Sequence, residues 1–261
     1  MAFPVGRIAF INVAPIFYAL EHGHIPNPYH FVYDTPARLN AMMHKGELCL
    51  AACSSVEYAK NSASYVLDPH LCIASKGPVQ SVLLFSHQPI ERLEGTITIT
   101  AQSNTSVILT KLLLAKYFKR TVSYCQGSVD QAQTAYLAIG DEALRLSKQG
   151  LFPYCLDTAT AWRMWTKTPF VFALFILQKN WSSPDATKPL QESLAWGMEH
   201  LPDVIASVRN TCPLTDEELS FYYQHALTYS LGCDERKGLR LFFTMAADEG
   251  LLPNVPDLLF A

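Results

Sequence analysis

The first part of the chain alternates short apolar runs with amphipathic stretches, a pattern that predicts strands joined by helices. We predict strands over residues 7–12, 29–33 and 48–52, with helices over 15–21 and 36–44 between them. Strands that alternate with helices in this way are typical of an α/β fold with parallel pairing.

The same alternation continues through the middle of the chain and then gives way to helices. Further strands are predicted over 81–86, 96–100, 121–125, 137–139 and 168–176, and further helices over 107–118, 130–136, 142–149, 188–208 and 215–250. Two α/β units followed by helices predict two lobes with a cleft between them. In such folds the ligand lies at the carboxyl ends of strands and the amino ends of helices.

Composition excludes several classes of protein. Hydrophobic residues make up 49% of the chain and charged residues 16%, which predicts a folded core and not a disordered chain. A net charge of -3 gives no bulk attraction to nucleic acid, so we expect no nucleic-acid partner. The most apolar segment, 169–177, falls well short of the roughly 20 residues of a membrane span.

The cysteines and the first residues bear on location. The chain has seven cysteines, an odd number that argues against a secreted disulfide framework. Its first residues lack the basic, apolar and small-residue regions of a signal peptide and instead predict a strand. We therefore expect a soluble, cytoplasmic protein.

General motifs for metals, nucleotides and nucleophilic catalysis are absent from the sequence. It contains no Gly-x-Gly-x-x-Gly, Walker loop, Gly-x-Ser-x-Gly or His-Glu-x-x-His pattern. Cys49 and Cys53 lack partners at zinc-site spacing and are interpreted as small buried side chains. His22 and His24 flank Gly23, where a solvated turn is favoured over a metal site. We expect neither a metal nor an organic cofactor.

Polar residues at strand ends and helix starts are the candidates for a binding site. Asn12 is predicted to close the first strand, where its amide can bind a substrate or form an Asx turn. Ser103, Thr105 and Ser106 lie at the start of a helix, whose unpaired N–H groups favour an anion. Ordinary capping is the alternative, but it needs only one of the three hydroxyls.

Three more candidates follow the same logic. Ser54 is explained by a capping box with Glu57, which leaves Ser55 without a structural role. Ser81 opens a strand and is either a strand-end serine or a site residue. For Asp141, capping of the helix that follows is favoured over a carboxylate facing the cleft.

These segments resemble the chorismate dehydratase family when they are taken together and in order. The matching stretches cover about residues 8–175 and are 7–8 with 12–15 (Arg-Ile, Asn-Val-Ala-Pro), 54–58 (Ser-Ser-Val-Glu-Tyr), 72–82 (Cys-Ile-Ala-Ser-Lys-Gly-Pro-Val-Gln-Ser-Val), 103–106 (Ser-Asn-Thr-Ser), 139–144 (Ile-Gly-Asp-Glu-Ala-Leu) and 165–173 (Trp-Thr-Lys-Thr-Pro-Phe-Val-Phe-Ala). The resemblance implies a type II periplasmic-binding-protein-like fold. It implies a first lobe of residues 1–90 plus 176–261, including the C-terminal helices, and a second lobe of 91–175. We expect the crossings near 88–92 and 174–180.

The resemblance also implies an activity. The chain would be a hydro-lyase that removes water from the dicarboxylate chorismate, giving 3-[(1-carboxyvinyl)oxy]benzoate in the futalosine route to menaquinone. Asn12 and Ser81 would be catalytic and orient the reacting ring. The substrate-binding residues would be Ser55, Ser103, Thr105, Ser106 and Asp141, with the Ser103–Ser106 hydroxyls on one carboxylate and Ser55 on the second.

Departures and alternatives qualify this interpretation. The family usually has Thr where this chain has Val13 and Gly where it has Lys167, which bears on affinity more than on reaction type. One alternative is the sister enzyme that makes 1,4-dihydroxy-6-naphthoate, but it carries a His in the region of Gly140 and Asp141. The other alternative is a non-enzymatic solute-binding protein, which would normally carry an export signal.

Overall fold

The computed structural model describes residues 3–181, 183 and 185–261, and its strands form two sheets. The strands are β1 (Phe3–Ile8), β2 (Tyr29–Asp34), β3 (Leu50–Ser54), β4 (Tyr65–Ser75), β5 (Val82–Ser86), β6 (Thr96–Ile99), β7 (Ser123–Gln126), β8 (Ala135–Ile139), β9 (Tyr154–Asp157), β10 (Phe170–Gln178) and β11 (Thr228–Ser230). The helices are α1 (Ala14–Glu21), α2 (Pro36–His44), α3 (Ser55–Asn61), α4 (Asn104–Leu112), α5 (Gly140–Gln149), α6 (Thr158–Thr166), α7 (Lys188–Glu199), α8 (Leu201–Val208), α9 (Asp216–Phe221) and α10 (Cys233–Asp248). Each of these helices is too short or too polar to cross a membrane.

Both sheets are mixed and are built on a similar plan. The first has the strand order β11-β4-β10-β3-β1-β2, in which β1 pairs in parallel with β2 and β3 while the remaining pairs are antiparallel. The second has the order β7-β6-β8-β5-β9, in which β6 is parallel to β7 and β8. We call the first sheet with its helices lobe 1 and the second sheet with its helices lobe 2. The α/β class and the parallel pairing of the first strands are confirmed.

The chain crosses between the lobes twice, at 76–81 and at 158–169. It leaves lobe 1 after β4 and joins lobe 2 at β5, which pairs with β8 and β9. It returns through α6 to β10, which pairs with β3 and β4. The expected crossings near 88–92 and 174–180 therefore lie too late in the chain. Both β5 and β10 are almost wholly buried apolar runs, and such runs indicate a strand without indicating its sheet.

Some predicted elements differ from the structure. The predicted helix over 130–136 is wrong: a 3-10 turn at Val129–Gln131 leads into β8, whose residues are all buried. The predicted helix over 188–208 is two helices, because the helical run breaks at His200, just before Pro202. Helix α4 ends in a π-helical turn at Leu113–Tyr117.

An aromatic cluster packs the return crossing onto lobe 1. The ring of Trp162, fully buried on α6, contacts Phe170 edge to face at 5.3 Å and Phe242 at 6.1 Å between ring centroids. The Trp162 indole N–H also donates to the carbonyl of Pro169. These contacts hold the crossing segment against β10 and α10.

Candidate functional site

A cavity of about 60 Å³ lies between the two lobes. Its polar lining consists of Asn12 and Ser54 from lobe 1, Ser103 and Ser106 from lobe 2, and Ser81 from the first crossing. Among the described residues that line it, none has a charged side chain. The cavity can therefore offer hydrogen bonds to a ligand, but no counter-ion.

The amino ends of helices supply the electrostatic character that the side chains lack. The first residues of α2 and α5, Pro36 and Gly140, line the cavity, as does Ser103 just before α4. The first N–H groups of a helix have no intrahelical acceptor, and the helix dipole adds partial positive charge there. A cavity bordered by three such ends favours an anion.

Asn12 lies in a 3-10 turn (Ile11–Val13) that precedes α1, not at the end of β1, which stops at Ile8. Its side-chain oxygen Oδ1 is buried and has no hydrogen-bond partner among the described residues. The alternative role of Asn12, an Asx turn, is therefore not formed by this atom. A buried acceptor without a partner costs about 1–3 kcal/mol, which a ligand that donates a hydrogen bond would recover.

The backbone of this turn is held by two tyrosines from the C-terminal part of the chain. Tyr223 donates from its hydroxyl to the carbonyl of Ile11 at 3.0 Å, and Tyr229 donates to the carbonyl of Asn12 at 3.0 Å. Both tyrosines are buried. These bonds anchor two carbonyls of the turn and leave the side-chain Oδ1 of Asn12 free for a ligand.

Ser81 has a buried hydrogen-bond partner that sequence reasoning missed. The hydroxyl of Tyr222 donates to Ser81 Oγ at 2.8 Å, and burial raises the pKa of Tyr222, so the tyrosine stays protonated. Ser81 Oγ in turn donates a long hydrogen bond of 3.4 Å to the Val79 carbonyl, which a ligand acceptor in the cavity can replace. Tyr222 lies far along the chain in a predicted helical region, and no local pattern connects it with Ser81.

The hydroxyl groups at the start of α4 have two roles. Those of Ser103 and Ser106 lie on the cavity wall, whereas that of Thr105 contacts the other lobe. Ser103 Oγ accepts from the Ser106 amide at 3.2 Å and caps the helix, and it donates to Ser106 Oγ at 3.2 Å. Both serines line the cavity. The structure thus brings Ser103 and Ser106 together with Asn12 and Ser81.

Ser55 and Thr105 lie outside the cavity lining and join the lobes to each other. Their hydroxyl oxygens are 3.2 Å apart across the interface, and both residues are fully buried. Thr105 Oγ1 also accepts from the Val56 amide at 3.1 Å, near the start of α3. Ser54 caps α3 by accepting from the Glu57 amide, but the predicted capping box is not completed, because the Ser54 amide donates to Asn40 Oδ1 at 3.4 Å. Ser54 takes the place on the cavity wall that was expected of Ser55.

Asp141 also bridges the lobes. Its Oδ1 accepts from the Ile11 amide at 3.1 Å, and it borders a separate cavity of about 320 Å³ beside the Arg7–Glu21 ion pair. Burial raises the pKa of the Asp141 carboxyl, while the Ile11 bond and Arg7 act in the opposite direction. The predicted capping role is wrong, because Ile139 occupies the N-cap position and Asp141 lies in the first turn of α5.

Within the described part of the chain, His, Cys, Asp and Glu side chains form no group of three that could hold a metal ion. His22 and His24 are exposed and stack on Tyr18 and Trp196, with ring centroids 4.0 and 4.1 Å apart respectively. The seven cysteines are free thiols.

Comparison with known proteins gives both a family and a fold. A family model described as menaquinone biosynthesis matches residues 3–248. A curated chorismate dehydratase from Thermus thermophilus is 28% identical over 262 residues, covering 91% of this chain and 93% of its own length.

Two solved structures share the architecture. A protein of Archaeoglobus fulgidus superimposes with a TM-score of 0.77 at 18% identity, covering 96% of this chain and 98% of its own. The periplasmic aliphatic sulphonate binding protein of Escherichia coli gives 0.68 at 13% identity, covering 98% and 95%. The expected periplasmic-binding-protein-like fold with two lobes is confirmed. The family model spans nearly the whole chain, so this protein belongs to the menaquinone biosynthesis family.

Proposed function

We propose that this protein is a chorismate dehydratase, a hydro-lyase that converts chorismate to 3-[(1-carboxyvinyl)oxy]benzoate. The family match and the name of the Thermus thermophilus relative support this activity. The structural observation that carries it is the interlobe cavity, which combines helix amino ends with the buried, unpartnered amide oxygen of Asn12. We also propose that the protein acts in the cytoplasm, in the futalosine route to menaquinone.

The two carboxylates of chorismate fit the neutral donors of the cavity. Ser103, Ser106 and the amino end of α4 bind one carboxylate from lobe 2. Ser54 and the amino end of α2 face it from lobe 1 and bind the second. Fixed dipoles and N–H groups stabilise such anions without a positively charged side chain.

The elimination removes the proton at C3 and the hydroxyl at C4. The electrons of the C3–H bond move into the ring, the C4–O bond breaks, and the departing hydroxide takes up the proton released from C3, so that water leaves. Since the described cavity wall has no basic side chain, the enolpyruvyl carboxylate of the substrate itself accepts the C3 proton. Ser81 donates a hydrogen bond to the leaving oxygen, and Asn12 orients the ring.

Opening and closing of the lobes belongs to this mechanism. Cavities that hold organic ligands usually measure about 300–1,000 Å³, so the lobes must part to admit chorismate. Closure then excludes water and brings the lobe 1 and lobe 2 groups onto one substrate molecule.

The test is to incubate the purified protein with chorismate and to follow the aromatic product by chromatography and mass spectrometry. We expect wild-type turnover and a loss of at least about 100-fold for Asn12→Ala, because one positioned polar group at a reacting centre contributes on this scale. Asn27→Ala is the matched control, since Asn27 is exposed and its side chain bonds only the nearby Tyr29 amide among the described residues. Tight chorismate binding by the wild type without product would instead indicate a solute-binding protein.

A further inference from the structure

The turn that carries Asn12 is held from both lobes. Tyr223 and Tyr229 fix the carbonyls of Ile11 and Asn12, as described above. The Ile11 amide, at the start of this turn, donates to Asp141 Oδ1 of lobe 2 at 3.1 Å. The position of the turn therefore depends on contact between the lobes.

A second contact lies directly beside this hydrogen bond. Gly140 has a φ of +58°, and a Cβ at this position would lie 2.8 Å from the ring of Phe10. Two neighbouring residues at the start of α5 thus contact two neighbouring residues that precede Asn12. Gly140 contacts Phe10, and Asp141 contacts Ile11. Only glycine combines this backbone conformation with so close an approach of an aromatic ring.

Asp141 acts on the site through this contact and not by touching the substrate. It is absent from the lining of the interlobe cavity, whereas Phe10 and Gly140 line that cavity. Its carboxylate is partly buried, and a bond from an N–H group to a carboxylate is stronger than a bond between neutral groups. The bond joins two lobes, so it exists only when they are together.

We propose that Asp141 is a positioning residue that fixes the Asn12 turn when the lobes close, so that the Asn12 amide reaches its working position only in the closed enzyme. This inference rests on the proposed function for the role of Asn12 in turnover. It makes closure itself the step that completes the site. Any contact between substrate and protein that forms early in binding would form before closure, and so before the Asn12 side chain is in place.

The competing explanation is that Asp141 only stabilises its own helix. Acidic residues in a first turn complement the helix dipole, and Glu142 shares that turn. Glu142 Oε2 accepts from the Tyr136 hydroxyl at 3.0 Å, a bond within lobe 2. Glu142→Ala therefore removes the same charge from the same turn without removing a contact between lobes.

The experiment compares Asp141→Ala, Asp141→Asn and Glu142→Ala in chorismate turnover. We expect Asp141→Ala to lower kcat by about 10- to 100-fold with little change in KM, since losing a hydrogen bond to a charged group typically lowers a rate by about this factor. Asp141→Asn keeps an acceptor oxygen and restores most of kcat. Glu142→Ala keeps wild-type kcat. Equal losses in Asp141→Ala and Glu142→Ala, or no rescue by asparagine, would overturn the proposal.

A second readout does not depend on turnover. Hydrogen exchange at the Ile11 amide, followed by NMR, should be about tenfold faster in Asp141→Ala than in the wild type or Glu142→Ala. Unchanged exchange in Asp141→Ala would overturn the positioning role even if kcat falls. A wild type that leaves chorismate unchanged refutes the proposed function, while the exchange rates still decide whether Asp141 holds the turn.

Discussion

Removal of one buried hydroxyl, in Tyr222→Phe, separates catalytic from structural effects at the site. The substitution deletes the donor of the 2.8 Å hydrogen bond to Ser81 Oγ and leaves the ring in place. A neutral hydrogen bond contributes about 0.5–1.5 kcal/mol to stability. For a chain of this length we expect Tm to fall by about 2–4 °C per kcal/mol.

The effect on turnover should be larger than this loss of stability suggests. Without Tyr222 as donor, the Ser81 hydroxyl keeps only its 3.4 Å bond to the Val79 carbonyl, and its orientation toward the cavity is no longer fixed. Its hydrogen bond to the leaving oxygen then weakens. A loss of about 1.4 kcal/mol at the transition state lowers kcat about tenfold.

Tyr58→Phe is the matched control. Tyr58 is fully buried, and its hydroxyl donates to the Asp257 carbonyl at 2.7 Å and accepts from the Leu259 amide at 2.9 Å. These partners lie in the C-terminal segment and not on the cavity wall. We expect a similar or greater loss of Tm with wild-type kcat. Equal kcat values for Tyr222→Phe and Tyr58→Phe, measured well below both melting temperatures, would refute the reasoning.

Two further predictions concern stability. Asn12→Ala should abolish most activity yet leave the free energy of unfolding unchanged or raised by up to about 1 kcal/mol, because it removes a buried acceptor without a partner; a clear loss in urea denaturation would contradict this. Gly197→Ala should destabilise by about 1–3 kcal/mol or more, since its Cβ would lie 2.3 Å from the Pro15 carbonyl oxygen where α1 packs on α7. Gly77→Ala, whose Cβ would meet nothing within 4 Å, is the control in the same denaturation experiment.

The local part of the site could be predicted from the sequence, and the part made by distant residues could not. Ser103 and Ser54 cap their helices and line the cavity, because a hydroxyl before a helix has a local geometric role. Asp141 is also a polar residue at the start of a helix, but its carboxylate accepts from the Ile11 amide in the other lobe. Tyr222 and Ser81 meet only through the return of the C-terminal region, which no short-range pattern encodes.

The fold shows the same limit. Apolar alternation located most of the strands. The predicted helix over 130–136 failed because the buried strand β8 starts within it, and tertiary burial overrides local propensity. Sheet membership of β5 and β10 depends on pairing across long distances in sequence, so the crossings were misplaced.

The order of the strands also bears on how the chain folds during synthesis. Strands β5 to β9 of lobe 2 follow one another without interruption, so this lobe can form as soon as residues 82–157 have left the ribosome. Lobe 1 is different, because β10 lies between β3 and β4 in its sheet and is made only after the whole of lobe 2. Until then β3 and β4 present unpaired edges, which promote aggregation. The N-terminal strands therefore depend on the nascent chain staying protected until β10 inserts between them.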